Sequence, residues 1–196
     1  MHIADGIIDT RICIAAQAAS LGLIYLSGRR TEAEEIPRMG ITGAALFVVS
    51  LIQIPFAGTS LHPGLFGLAG IILGKRAFPV IFTVLLFQSF IFQHGGLLTL
   101  GVNAINMGAG AFLAMIVWQQ KYIPEIARAL LAGFLGVFIP AFLMSVEFKL
   151  TGYGKGIFLI MSVYVMAALI ESVITLTVVK FFRKVNSDII ISNVKL

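Results

Sequence analysis

An all-α polytopic membrane protein of about seven transmembrane helices is the fold class this sequence predicts. Three observations lead there: the composition, the spacing of the apolar runs and the placement of the positive charges. Of 196 residues, 59% are hydrophobic and 12% are charged, against roughly 45–50% and about 25% in a soluble domain. So few charges cannot clothe a globule in water, and so apolar a chain does not stay disordered. At about 20 residues per membrane helix, spans and short loops use the whole length. A single transmembrane domain, residues 1–196, is therefore expected, with no ATP-binding engine on this chain. The lone cysteine, Cys13, excludes an internal disulfide and a multi-cysteine metal site. The net charge of +5 comes from dispersed basic residues, which speaks for membrane topology and against nucleic acid.

The first apolar run is Ile12 to Leu26, stopped by Arg29-Arg30. The second is Ile41 to Phe56. The third, Leu65 to Leu73, is short and ends at Lys75-Arg76. It reads as a helix that begins inside the membrane after a re-entrant loop, where backbone buried in protein is tolerated. The fourth is Val80 to Phe92, the fifth Val102 to Trp118, the sixth Ile126 to Val146 and the seventh Ile157 to Phe182.

Positive charges alternate between the connections. Arg29, Arg30 and Arg38 follow the first run, and none follows the second. Lys75 and Arg76 follow the third, and none follows the fourth. Lys121 and Arg128 flank the fifth connection, and the tail carries Lys180, Arg183, Lys184 and Lys195. Lys149 and Lys155 in the sixth connection, and Arg11 near the start, oppose the pattern. The positive-inside rule then puts the N-terminus outside and the C-terminus inside. All three histidines, His2, His62 and His94, fall on the outer side.

The chain begins Met1-His2-Ile3-Ala4-Asp5-Gly6. No basic n-region or small-residue cleavage site precedes the first run, so this terminus is expected to be retained. The free amine of Met1, the amide nitrogen of His2 and the His2 imidazole can close adjacent five- and six-membered chelate rings. Those rings are nearly coplanar and leave one equatorial position for a fourth nitrogen. Square-planar nitrogen coordination favours Ni(II) or Cu(II) over Zn(II). Binding displaces protons, so affinity is expected to fall in acid. The plain alternative is a frayed terminus. Asp5-Gly6 is a turn signal, which folds the segment back towards the bundle.

His62 is the natural fourth ligand. Gly58 and Pro63-Gly64 enforce irregular backbone around it, and Thr59 and Ser60 can orient its ring by hydrogen bonds. The alternative is an interfacial loop histidine, although histidines at membrane depth are uncommon and usually functional. His94, in Gln93-His94-Gly95-Gly96, has two open readings: an axial or ligand-orienting group, or a loop residue near the headgroups. Asn103 and Asn106 share one face of the fifth run. Such amides usually bond between helices, and a role beside the metal is the sharper alternative. Glu171 sits inside the seventh run, where a charge needs a partner. An interhelical hydrogen bond or a partner-subunit contact is expected for it, away from the histidines. Ala15–Ala19, Gly40–Ala44 and Gly70–Gly74 are small-residue pairs that permit close helix approach.

These residues carry a resemblance. Met1-His2-Ile3-Ala4-Asp5-Gly6 opens the chain, and Gly58-Thr59-Ser60-Leu61-His62 forms a Gly-Thr-Ser-x-His loop. His94-Gly95-Gly96-Leu97 leads through Gly101-Val102-Asn103 to Asn106-Met107-Gly108. Ile170-Glu171-Ser172-Val173-Ile174-Thr175 runs into Lys180-Phe181-Phe182-Arg183. Over essentially its whole length the sequence resembles the CbiM/NikM family. These are the substrate-binding membrane components of energy-coupling-factor (ECF) transporters for cobalt and nickel. Pro63 stands where the family often has Leu, and Gln93 where it often has Gly.

The resemblance implies a seven-helix protein of the cell (inner) membrane whose first residues dip into the bundle. It implies a metal site made by the Met1 amine, the His2 amide and imidazole, and His62. Ni(II) or Co(II) would be the transported substrate, and the chain itself would not be an enzyme. The implied partners are an ECF transmembrane coupling subunit, cytoplasmic ATP-binding subunits and a small accessory membrane subunit. Two other classes compete. An ion-coupled secondary metal permease needs inverted repeats and an intramembrane coupling site. No clear repeat is visible, and Glu171 alone is a thin proton relay. A membrane hydrolase using Ser60 and His62 has poor nucleophile–base spacing and no third orienting group.

Overall fold

Helices build the frame of the computed structural model, which describes residues 2–52, 54–56, 59–152 and 157–185, with backbone alone at 54–56, 59–61, 157 and 159. In chain order they are α1 (Thr10–Gly28), α2 (Glu35–Ser50), α3 (Phe66–Leu73), α4 (Ala77–Phe92), α5 (Leu100–Trp118), α6 (Glu125–Leu150) and α7 (Ile157–Val185). Each apolar run supplies one helix, and most helices extend a little into flanking polar sequence. Among the described residues, five helical segments are long and apolar enough to cross a membrane. They are Thr10–Gly28, Phe66–Phe92, Leu100–Trp118, Glu125–Leu150 and Ile160–Val185, with α3 and α4 counted together through the short turn Gly74–Arg76. At 16 residues, α2 is not among them.

The second run departs from the expected helix to Phe56. The helix stops at Ser50, and β1 (Ile54–Phe56) pairs antiparallel with β2 (Thr59–Leu61) in the register Ile54↔Leu61, Pro55↔Ser60, Phe56↔Thr59. Pro55 supplies a reason: it lacks an amide donor and turns the preceding residue away from helical backbone. A short apolar run cannot by itself be told apart as strand or helix. The hairpin leads into the segment that carries His62.

The short third run is an eight-residue helix, about 12 Å long at the α-helical rise. Every residue of α3 is buried. A Cβ on Gly67 would meet the Ala132 carbonyl oxygen at 2.2 Å, and one on Gly70 would meet that of Ala111 at 2.1 Å. Glycine at both positions is what lets α3 lie directly on α6 and α5. The Gly70–Gly74 pair therefore acts within the chain at Gly70, whereas Gly40 has nothing within 4 Å of a notional Cβ. α5 is the central helix, packed by α1, α3, α4 and α6.

Large apolar side chains stay exposed on the outer helices, among them Ile12, Ile14 and Leu21 on α1, Phe87 and Phe90 on α4, and Ile170 and Val173 on α7. A surface of this kind suits lipid and not water. The two ends of the bundle differ in chemistry. At one end Arg76, 6% exposed, pairs with Glu35 at 3.0 Å and donates to the carbonyls of Ser27 and Arg30. It ties together the C-terminus of α1, the start of α2 and the start of α4. Arg183 pairs with Glu125 at 3.0 Å and joins α7 to α6 at that end. The histidines gather at the other.

Candidate metal centre

The segment before α1 is held by backbone hydrogen bonds to α5. Asn103 pairs with Ile3 as one peptide pairs with another: the Ile3 N–H donates to Asn103 Oδ1 at 2.8 Å, and Asn103 Nδ2 donates to the Ile3 carbonyl at 3.0 Å. The Thr99 hydroxyl also donates to the Ile3 carbonyl, at 2.8 Å. Ile3 is fully buried, in a small cluster with Ile8, Cys13, Val102 and Met144. Burial of such a side chain stabilises by roughly 1.5–3 kcal/mol.

Asp5 completes the attachment. Its Oδ1 accepts from the Thr99 N–H at 2.9 Å and lies 3.1 Å from the Thr99 hydroxyl oxygen. The carboxylate thus sits at the N-terminus of α5, where the helix dipole favours an anion. Gly96 makes room for it, since a Cβ there would lie 1.8 Å from Asp5 Oδ1. Asp9 caps α1 next door, accepting from the Arg11 N–H at 2.8 Å.

With the segment fixed, the three imidazoles come together. The His2 and His94 rings are 6.1 Å apart between centroids, and those of His62 and His94 are 5.1 Å apart. His2 Nε2 lies 2.9 Å from Gln88 Oε1 on α4, and His62 Nδ1 lies 3.2 Å from the Ser50 carbonyl at the end of α2. Gln88 Nε2 donates in turn to Ser50 Oγ, whose own hydroxyl donates to the Phe47 carbonyl at 2.6 Å. His2, His62, Ser50 and Gln88 border a void of about 10 Å³, walled by Leu46, Phe66, Val84 and Met107. That is room for one water-sized occupant.

Burial pushes the His2 imidazole down to about 3, and burial also holds His62 below the ordinary histidine value. Burial therefore favours the neutral form of His2, the form that a metal ligand takes. Among the described residues, no set of three His, Cys, Asp or Glu side chains is arranged as a metal cage by itself.

Of the residues singled out in the sequence, His2, His62 and His94 converge. Asn103 lies beside them and grips the Ile3 backbone. Asn106 is turned elsewhere, donating to Glu147 Oε2 at 2.8 Å. Met1 lies outside the described residues, as do the side chains of Thr59 and Ser60. Glu171 departs from its expected place away from the histidines. It accepts from the Gly64 N–H at 2.7 Å and the Leu65 N–H at 2.8 Å, two and three residues after His62. The reason is that the chain enters α3 deep in the bundle, so the histidine segment reaches a residue midway along α7.

Sequence reasoning missed Ser50, Gln88, Thr99 and the capping role of Asp5. Gln88 had a signal: an amide inside an otherwise apolar span needs a hydrogen-bond partner. Ser50 and Thr99 had none, being small hydroxyls at run ends.

Residues 2–189 match the family model described as the cobalt uptake substrate-specific transmembrane region, CbiM. A Haemophilus influenzae protein assigned by name to metal transport is 30% identical over 198 residues, 96% of each chain. The cobalt transport protein CbiM of Lachnoclostridium phytofermentans is 28% identical across 91% of this chain and 80% of its own. The fused nickel transport protein NikMN of Rhodobacter capsulatus is 30% identical across 76% of this chain and 47% of its own. Two crystal structures of transition metal transporters, one of them truncated, share the fold. Their TM-scores are 0.80 for the truncated one and 0.81, at 23% and 24% identity, over 94% of this chain and 99% and 93% of theirs.

Proposed function

This chain belongs to the CbiM family of cobalt-uptake transmembrane regions, and on that premise we propose that it is the metal-capturing subunit of an ECF-type uptake transporter. The substrate is Ni(II) or Co(II). The donors are the amine of Met1, the amide nitrogen and imidazole of His2, and the imidazole of His62. The single domain of residues 1–196 crosses the cell membrane seven times, with its N-terminus outside. A transmembrane coupling subunit, cytoplasmic ATP-binding subunits and a small accessory membrane subunit complete the transporter. Thr59 and Ser60 orient His62, His94 stands beside both ligating rings, and Asn103 fixes the segment that carries His2.

One observation supports this reading above the rest. The N-terminal segment is bolted to α5 so that a neutral His2 and His62 border a void sized for one small occupant. A square plane of nitrogens leans towards nickel.

The test is calorimetry of nickel and cobalt binding to the purified full chain, its free N-terminus verified by mass spectrometry. His2→Ala abolishes binding, and so does a short extension ahead of Met1, because either removes part of the chelate. His62→Ala weakens it strongly. Nickel binding that survives the extension unchanged would overturn the chelate.

A further inference from the structure

An imidazole ligates through whichever nitrogen lacks a proton, so a metal site built on neutral histidines depends on their tautomers. Covalent geometry sets the requirement for His2. Only Nδ1 closes a six-membered ring with the residue's own amide nitrogen, so the proton must sit on Nε2.

The hydrogen bonds around Ser50 supply that condition. The Ser50 hydroxyl has one proton and donates it to the Phe47 carbonyl. Its oxygen can then only accept, and it accepts from the Gln88 amide nitrogen. This turns Gln88 so that Oε1 faces His2 Nε2 at 2.9 Å. A carbonyl oxygen cannot donate, so the proton between them belongs to His2 Nε2, and Nδ1 keeps its lone pair. The same residue acts on the second imidazole through its main chain. The Ser50 carbonyl faces His62 Nδ1 at 3.2 Å, which places that proton on Nδ1 and frees Nε2. Ser50 and Gln88 are 7% and 2% exposed, so little water competes for these bonds.

We propose that Ser50 and Gln88 are positioning residues that set the tautomers of both histidines, protonating His2 on Nε2 and His62 on Nδ1 before any metal arrives. The inference rests on the chelate reading for its consequence in metal binding. The tautomers themselves are a property of the metal-free protein.

The experiment is imidazole nitrogen NMR on metal-free, histidine-labelled full-length protein, with signals assigned by His62→Ala and His94→Gln, followed by nickel calorimetry. The expected wild-type spectrum shows the proton of His2 on Nε2 and that of His62 on Nδ1. Gln88→Leu leaves His2 a mixture of tautomers and lowers nickel affinity about 10–100-fold, the usual effect of losing a partner behind a ligand. Gln88→Glu, which can only accept once ionised, restores the tautomer and most of the affinity; a merely structural role would leave the His2 tautomer of Gln88→Leu unchanged. Should Gln88→Leu fail to fold, Ser50→Ala reads the same point, because a released Gln88 can flip its amide towards His2.

A wild-type His2 protonated on Nδ1 would overturn the proposal. So would Gln88→Leu with both tautomer and affinity unchanged while His2→Ala abolishes binding. A spectrum as expected, in a protein whose nickel binding ignores His2→Ala, would instead overturn the chelate and leave the tautomer assignment standing.

Discussion

At the scale of single residues, the site depends on contacts that hold the main chain as much as on the imidazoles. Asp5 is the clearest case. It binds the start of α5 and so holds the segment that carries His2. Asp5→Ala is expected to destabilise the fold by about 1 kcal/mol, as loss of a helix-end anion partner does, and to weaken nickel binding as well. Gly96→Ala should produce the same binding defect from the opposite partner, because its methyl group would occupy the Asp5 carboxylate. Thermal melts with calorimetry on both variants check this, and unchanged affinity in both would show that the segment does not need its anchor. His2 and His62 were legible as candidate ligands from chelate chemistry and from backbone-breaking neighbours. The anchors were not, because a carboxylate at position 5 and a threonine at position 99 become partners only through the fold.

At the scale of elements, α3 and α7 form one device. The short helix starts inside the bundle, and the two residues that lead into it, Gly64 and Leu65, donate their backbone N–H groups to Glu171. A buried N–H left without its acceptor costs about 1–3 kcal/mol, so removing this acceptor releases the segment that carries His62. Glu171→Ala is expected to weaken nickel binding without removing a metal ligand, while Glu171→Gln, which keeps one acceptor oxygen, should lie between it and wild type. Calorimetry on the pair tests the order, and equal affinity in all three proteins would refute the coupling. The short third run and its re-entrant approach were readable from length, Gly and Pro. The partnership with Glu171 was not, because hydropathy locates a charge along its own helix and says nothing of how deep another segment descends to meet it. The strand at 54–56 was likewise hidden, since its apolar residues continue the run that forms α2.

For the whole molecule, the separation of ends is the organising fact. Arg76 and Arg183 clasp one end, and the imidazoles occupy the other. The alternation of positive charges exposed this polarity in the sequence, because basic residues mark one side of a membrane by rule. If the N-terminus is outside, Glu34, an exposed residue between α1 and α2, faces the cytoplasm. A Glu34→Cys variant in intact cells is then expected to resist an impermeant thiol reagent and to react in inverted vesicles. Cys13 is buried and should give little background. Labelling of intact cells would reverse the topology.

The bonds between residues 3 to 5 and residues 99 to 103 also set an order of assembly. A partner separated by 94 positions does not exist while the first four helices are being synthesised. Apart from the bond of His2 to Gln88 on α4, the segment that carries His2 therefore waits for α5 to emerge, and long-range closures of this kind come late and cost chain entropy. A nascent chain arrested before residue 99 should leave its N-terminus open to protease, and one released after α5 should protect it. The histidine pocket is in this sense a record of completed biogenesis: it closes only on a chain that has already placed its central helix.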